Sequence, residues 1–209
     1  MYKRQGEEDT LDGDAILLAT GRGPNTEGLH AERAGVELTK RGAVVTDKHL
    51  RTTAENIWAA GDVCGNLQFT YISLDDSRII LSDMQGDGSR TTENRGAFAY
   101  SVFMEPSFSR VGLSEKEAAD KGLNYRVVRM NTDMIPKAKV LRKTTGMLKA
   151  VIDKDSGKIF GAALFCPESY EIINMVKLAM DHDLDYTVLR DFIYTHPTMS
   201  EGLNDLFAL

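Results

Sequence analysis

The feature that most constrains this chain is Asp14–Ala15–Ile16–Leu17–Leu18–Ala19–Thr20, apolar at every position between its two polar ends. A strand that covers one face alternates apolar and polar residues. One that is apolar throughout lies inside a sheet with both faces covered. Such a strand needs neighbours, and residues 1–13 before it are polar. The expectation is that the chain begins part-way through a domain.

Gly21–Arg22–Gly23–Pro24–Asn25 then breaks regular structure. Residues 27–35 predict a short helix ending at Gly35. Val36–Leu38 and Ala43–Val45 predict short strands around Arg41–Gly42, and Ile57–Ala60 a further buried strand that ends at Gly61–Asp62. The next helix is expected over 73–85. Ser73 would be its N-cap, Asp75 and Asp76 would sit in its first turn, and Gly86 would take the C′ position. Residues 86–95 contain no apolar side chain and mark the domain boundary.

Beyond that boundary the pattern becomes α+β. Strands are expected over 98–103, 125–130, 147–153 and 158–165, the last two joined in a hairpin by Asp155–Ser156–Gly157. Ser114 and Glu117 form a capping-box signature for a helix that stops near Gly122. An amphipathic helix is expected over 169–182, and two shorter ones over 187–194 and 199–207.

Net charge is −6 with no run of Lys or Arg, which argues against nucleic acid and anionic membrane as partners. No stretch reaches the roughly 18–20 apolar residues that span a bilayer, and Met1–Gln5 holds no apolar signal core. A cytoplasmic protein is expected. The two cysteines, Cys64 and Cys166, form no CxxC or CxxxxC pair. They fit packing in a reducing compartment better than redox work. No spacing of Cys, His, Asp or Glu suggests a metal site. Neither a G-x-G-x-x-G nor a P-loop is present.

Three places could carry chemistry. Ala60–Gly61–Asp62 puts an acidic residue at the carboxyl end of a strand, where ligands bind in open α/β sheets. Asp62 can accept hydrogen bonds from sugar-like hydroxyls, or it is an exposed turn residue. The N-terminus of the helix near Ser73 can stabilise negative charge, or it simply opens a surface helix. His196, fixed in direction by Pro197, can exchange a proton near neutral pH with Glu201 on one of its nitrogens, or it only leads into the last helix. His30, His49 and His182 read as surface residues.

Taken in order, these segments resemble the pyridine nucleotide–disulfide oxidoreductases over almost the whole chain. Ala19–Thr20–Gly21–Arg22 with Pro24–Asn25 is similar to the family's ATGRxPN signature. Thr46 through Arg51–Thr52 to Ala60–Gly61–Asp62–Val63 is similar to its second flavin signature. Thr195–His196–Pro197–Thr198 with Glu201 is similar to its HPT…E ending. Within the family, residues 68–76 and 203–207 most resemble bacterial reactive-chlorine-resistance flavoproteins, which are related to hypothiocyanous acid reductases. A mercuric reductase would carry a cysteine pair near its C-terminus, and no cysteine follows Cys166. A glutathione reductase usually has a second acidic residue after the motif's Glu, where Gly202 stands here.

The resemblance implies α/β plus α+β architecture. Residues 1–22 would be the remnant of an NAD(P)H-binding domain, residues 23–95 the C-terminal part of an FAD-binding domain, and residues 96–209 an α+β dimerisation domain with an antiparallel sheet. It implies FAD and NAD(P)H as cofactors, with Gly61, Asp62, Gln68, Phe69 and Thr70 toward the flavin and Ala19, Thr20, Gly21 and Arg22 at the close of the nucleotide domain. It implies His196 and Glu201 as the catalytic pair of a homodimer acting on a small-molecule oxidant. The first flavin signature, the redox-active CxxxxC and most of the NAD(P)H domain are missing from these residues. The chain is therefore expected to be a fragment that lacks the electron path. The alternatives are a non-catalytic dimerisation module and a different reductase, such as a dihydrolipoamide dehydrogenase.

Overall fold

The computed structural model describes the backbone of residues 2–4 and 7–9 and the whole of residues 13–209. The chain forms two compact units, Met1–Asn94 and Arg95–Leu209.

In the first unit, β1 (Tyr2–Arg4) and β2 (Glu7–Asp9) pair antiparallel. A 3-10 turn over Ala31–Ala34 ends at Gly35, whose φ of 76° is the left-handed value that a β-carbon disfavours. The unit's one long element is α1 (Thr70–Gln85), whose Ile79 packs with Leu50 and Cys64. Asp83 of α1 is 3% exposed at its side chain. It accepts from Arg51 Nε at 2.7 Å, Arg51 Nη2 at 2.6 Å and Trp58 Nε1 at 2.8 Å. One carboxylate thus ties the helix to residues 51–58, and the Arg51 guanidinium holds its carboxyl below the usual carboxylate range.

Several expectations for this unit are corrected. Residues 14–20 form no strand. An extended segment becomes a buried strand only between hydrogen-bonded neighbours, and none of the described strands pairs with it. Ile16, Leu17 and Leu18 are 88%, 90% and 81% exposed. Residues 36–38 and 43–45 reduce to one bridge, Leu38–Val44. Residues 57–60 reduce to another, Trp58–Arg51, with Ile57 exposed. The helix placed over 73–85 starts at Thr70, because the Ile72 and Ser73 N–H groups both donate to Phe69 O. Ser73 is therefore an interior residue rather than the cap. Gly86 ends the helix in an extended conformation rather than a left-handed one.

The second unit bears out the antiparallel sheet. Its strands are β3 (Ala99–Val102), β4 (Phe108–Gly112), β5 (Tyr125–Asn131), β6 (Met147–Asp153) and β7 (Ile159–Phe165). They lie in the order β3-β4-β7-β6-β5, all antiparallel. The capping box of α2 (Glu115–Asp120) is complete, with Glu117 N–H donating to Ser114 Oγ and Ser114 N–H to Glu117 Oε2. α3 (Pro136–Leu141) opens with proline at its first position. α4 (Ser169–Asp181), α5 (Tyr186–Arg190) and α6 (Gly202–Ala208) follow. Register puts Ser109, Leu164, Leu148 and Met130 side by side on one sheet face. They share the core with Ile172, Ile173 and Val176 of α4 and Leu203, Leu206 and Phe207 of α6, α4 and α6 both packing on the sheet. β4 and α3 have no counterpart in the sequence reading. The helix placed over 187–194 stops at Arg190, and the one placed over 199–207 starts at Gly202.

Candidate functional site

The first candidate site lies in the first unit, where residues 60–62 meet α1. Gly61 opens a 3-10 turn (Gly61–Cys64) at φ 76°. Its N–H donates to Asp76 Oδ2 at 2.8 Å, and Asp76 is buried. A β-carbon on Gly61 would stand 2.7 Å from Ser73 Oγ. This glycine is therefore required by the approach of α1, whatever else approaches it. Asp62 carries its carboxylate outward, about half exposed, with Arg22 Nη2 3.6 Å away. The ATGR segment and the Gly–Asp turn thus meet at one pair of side chains. Phe69, the N-cap of α1, makes no side-chain cap, and its carbonyl accepts from the Ile72 and Ser73 N–H groups. Gln68, Phe69 and Thr70 lead the chain into that end. The turn that carries Asp62 packs against α1.

Two features here escaped the sequence reading. Asp76 was assigned to the first helical turn, yet it is the buried acceptor for Gly61. His49 is not a plain surface residue. Its Nδ1 is buried without a hydrogen-bond partner among the described residues, 3.8 Å from Asp83 Oδ1. The 76–79–83 spacing of the buried helix face was the available signal for both Asp76 and Asp83.

The second candidate site lies in the second unit at the start of α6. Thr195 to Thr198 run as a loop, with the His196–Pro197 peptide cis and Thr198 Oγ1 donating to Thr195 O at 2.7 Å. Glu201 is the N-cap of α6. Its Oε2 is 2.8 Å from His196 Nδ1. The imidazole is 70% exposed and the Glu201 side chain only 14%. Glu201 Oε1 is buried with no hydrogen-bond partner among the described residues. With Nδ1 engaged by a carboxylate, Nε2 is the ring nitrogen left without that partner.

Neither cysteine belongs to either arrangement. Burial pushes the Cys64 thiol up to about 11 and the Cys166 thiol up to about 12. Among the described residues, no group of three or more His, Cys, Asp or Glu is gathered as a metal site, and no helix is long and apolar enough to cross a membrane.

Comparison with known proteins gives two family matches. The dimerisation domain of the pyridine nucleotide-disulphide oxidoreductases matches residues 98–207, and a second model, pyridine nucleotide-disulphide oxidoreductase, matches residues 3–77. The chain is 52% identical over 203 residues to the probable pyridine nucleotide-disulfide oxidoreductase RclA of Escherichia coli (strain K12), covering 97% of this chain and 46% of that protein. It is 36% identical over 199 residues to a mercuric reductase of Staphylococcus aureus, covering 95% and 36%. A solved structure of the HOCl-induced flavoprotein disulfide reductase RclA from Escherichia coli superposes with a TM-score of 0.91 at 52% identity, covering 94% of this chain and 45% of that one. The chain spans less than half the length of these relatives.

Proposed function

This chain belongs to the pyridine nucleotide-disulphide oxidoreductase family, and from that premise we propose that it carries the flavin-facing and dimerisation segments of an FAD-dependent NAD(P)H:disulfide oxidoreductase. We assign its substrate to the hypothiocyanous-acid or reactive-chlorine class of oxidant, reduced through a cysteine pair that these residues do not contain, in the cytoplasm. The observation that carries the reading is the His196 Nδ1–Glu201 Oε2 contact of 2.8 Å at the mouth of α6.

In this reading the chain's residues do three things. Glu201 fixes the imidazole's direction and tautomer. His196 takes the proton from an attacking thiol, since the thiolate is the reactive form, and returns it to the leaving sulfur. In a homodimer the exposed ring would serve the partner's cysteine pair. Asp62 would accept hydrogen bonds from sugar-like hydroxyls, while the start of α1 with Gln68, Phe69 and Thr70 would stabilise negative charge beside it. FAD, when bound there, would supply two-electron storage between the nicotinamide and the disulfide. Ala19–Thr20–Gly21–Arg22 closes the nucleotide side, its Arg22 reaching toward Asp62. We expect the 209-residue chain by itself to dimerise without turnover, the family's dimerisation domain matching residues 98–207 and the CxxxxC pair not being among its residues.

The test is a chimera with the part of the Escherichia coli relative that precedes the matched region. It should retain FAD and oxidise NAD(P)H with hypothiocyanous acid as acceptor. His196→Ala should slow turnover by about a hundredfold, the loss typical of a general acid–base group, with flavin content unchanged. Full turnover in the His196→Ala chimera refutes the catalytic role.

A further inference from the structure

The His196–Glu201 pair joins two segments that the chain delivers separately. Glu201 starts α6, while His196 stands at the end of the loop that leaves α5. The last carbonyls of a helix have no intrahelical donor and leave the exit of the chain free unless something else engages them. Here side chains from outside the helix engage them. Asn204, three residues beyond Glu201 on α6, directs its Nδ2 at Arg190 O at 2.7 Å, Phe192 O at 3.0 Å and Leu189 O at 3.2 Å. An amide nitrogen has two hydrogens, so the three carbonyls share them. Tyr194 Oη adds a bond to Leu189 O at 3.1 Å. Burial pushes the Tyr194 phenol up to about 12 and keeps it a donor. The segment between α5 and His196 is thereby referenced to the helix that carries Glu201.

We propose that Asn204 is a positioning residue for the proton-handling pair: by holding the exit of α5 against α6, it sets the imidazole of His196 onto Glu201. An aliphatic residue at 204 would leave Leu189, Arg190 and Phe192 carbonyls without this donor. An aspartate would place an acceptor against three acceptors. In both cases the loop is released over the residues that precede His196. The catalytic consequence rests on the proton-handling role proposed above. The geometric claim does not.

The geometric claim is tested on the 209-residue chain itself. Nitrogen-15 imidazole spectra of the neutral ring report which nitrogen carries the proton. A free imidazole favours the proton on Nε2, whereas a ring held on a carboxylate through Nδ1 carries it there. The native chain should show the Nδ1–H form, and Glu201→Ala, which removes the acceptor, defines the released signature. Asn204→Ala and Asn204→Asp should shift His196 toward that signature, while the dispersed amide spectrum of the second unit persists. Asn204→Ser, which retains one donor, should fall between and serves if the other two variants unfold. In the chimera, Asn204→Ala should lower kcat by about tenfold to a hundredfold, the scale of a misplaced catalytic group, with KM little changed. If folded Asn204→Ala and Asn204→Ser chains keep the native tautomer, Asn204 is only a cap for α5 and the proposal fails. If Asn204→Ala releases the ring while His196→Ala keeps full turnover, the positioning stands and the catalytic reading falls.

Discussion

Cys64 and Cys166 show how burial sets a side chain's chemistry. Both are free and buried, and desolvation of the thiolate, the first cause in each case, leaves them as thiols at neutral pH. A thiol reagent should therefore label neither at neutral pH in the folded chain and both after denaturation. Two equivalents titrated rapidly without denaturant would contradict the packing assignment. Glu117 shows the opposite case. Hydrogen bonds from Ser114, then the Arg110 guanidinium, hold its carboxyl down at about 2. A depressed carboxyl contributes stability above its unfolded value of about 4.3, and that contribution is lost as pH falls toward the folded value. The thermal midpoint of the second unit should drop over that interval, and Glu117→Gln should flatten the drop. The same midpoint measurement with an unchanged slope would remove the capping box from the account.

At the scale of elements, the junction between Gly61 and α1 is the most demanding. A methyl at 61 would meet Ser73 Oγ and would have to adopt a positive φ. Gly61→Ala should cost on the order of 1–3 kcal/mol, seen as faster hydrogen exchange at residues 61–73, with the second unit undisturbed. Retained protection would show that α1 can move away. What was legible in the sequence follows from how local each signal is. The β6–β7 hairpin carries its turn residues and its strands side by side. The box at Ser114 and Glu117 is written in four residues. The amphipathic spacing of α4 is read directly. β4 was not legible, because Phe108–Ser109–Arg110–Val111–Gly112 mixes apolar and polar residues whose burial is decided by β3 and β7. α3 hides behind Pro136, a helix-opening position that reads as a break when its partners are unknown. The start of α1 differs from the sequence expectation because Phe69, a residue without a capping side chain, takes the N-cap position, its carbonyl accepting from the Ile72 and Ser73 N–H groups. At the candidate sites, the five-residue spacing of His196 and Glu201 became a contact only through the loop before α6. The roles of Asp76 and Asn204 depend on neighbours fifteen and up to fifteen residues away.

At the scale of the molecule, the second unit combines a closed core with a broad apolar exterior. Phe103, Val140, Tyr170, Leu178, Phe192 and Ile193 are exposed. Obligate interfaces are richer in such side chains than ordinary surface. Sedimentation analysis at micromolar concentration should show a dimer or larger species, and the purified chain should be colourless. A stable monomer at high concentration would contradict the first expectation, and a flavin spectrum the second. The run from Asp14 to Thr20 has a further consequence. Three large side chains stand in solvent beside a backbone whose donors and acceptors face no described strand, the combination that templates pairing with another chain. A strand laid beside that stretch would cover Ile16–Leu18 and pair its backbone, the arrangement that an apolar run of this kind is suited to.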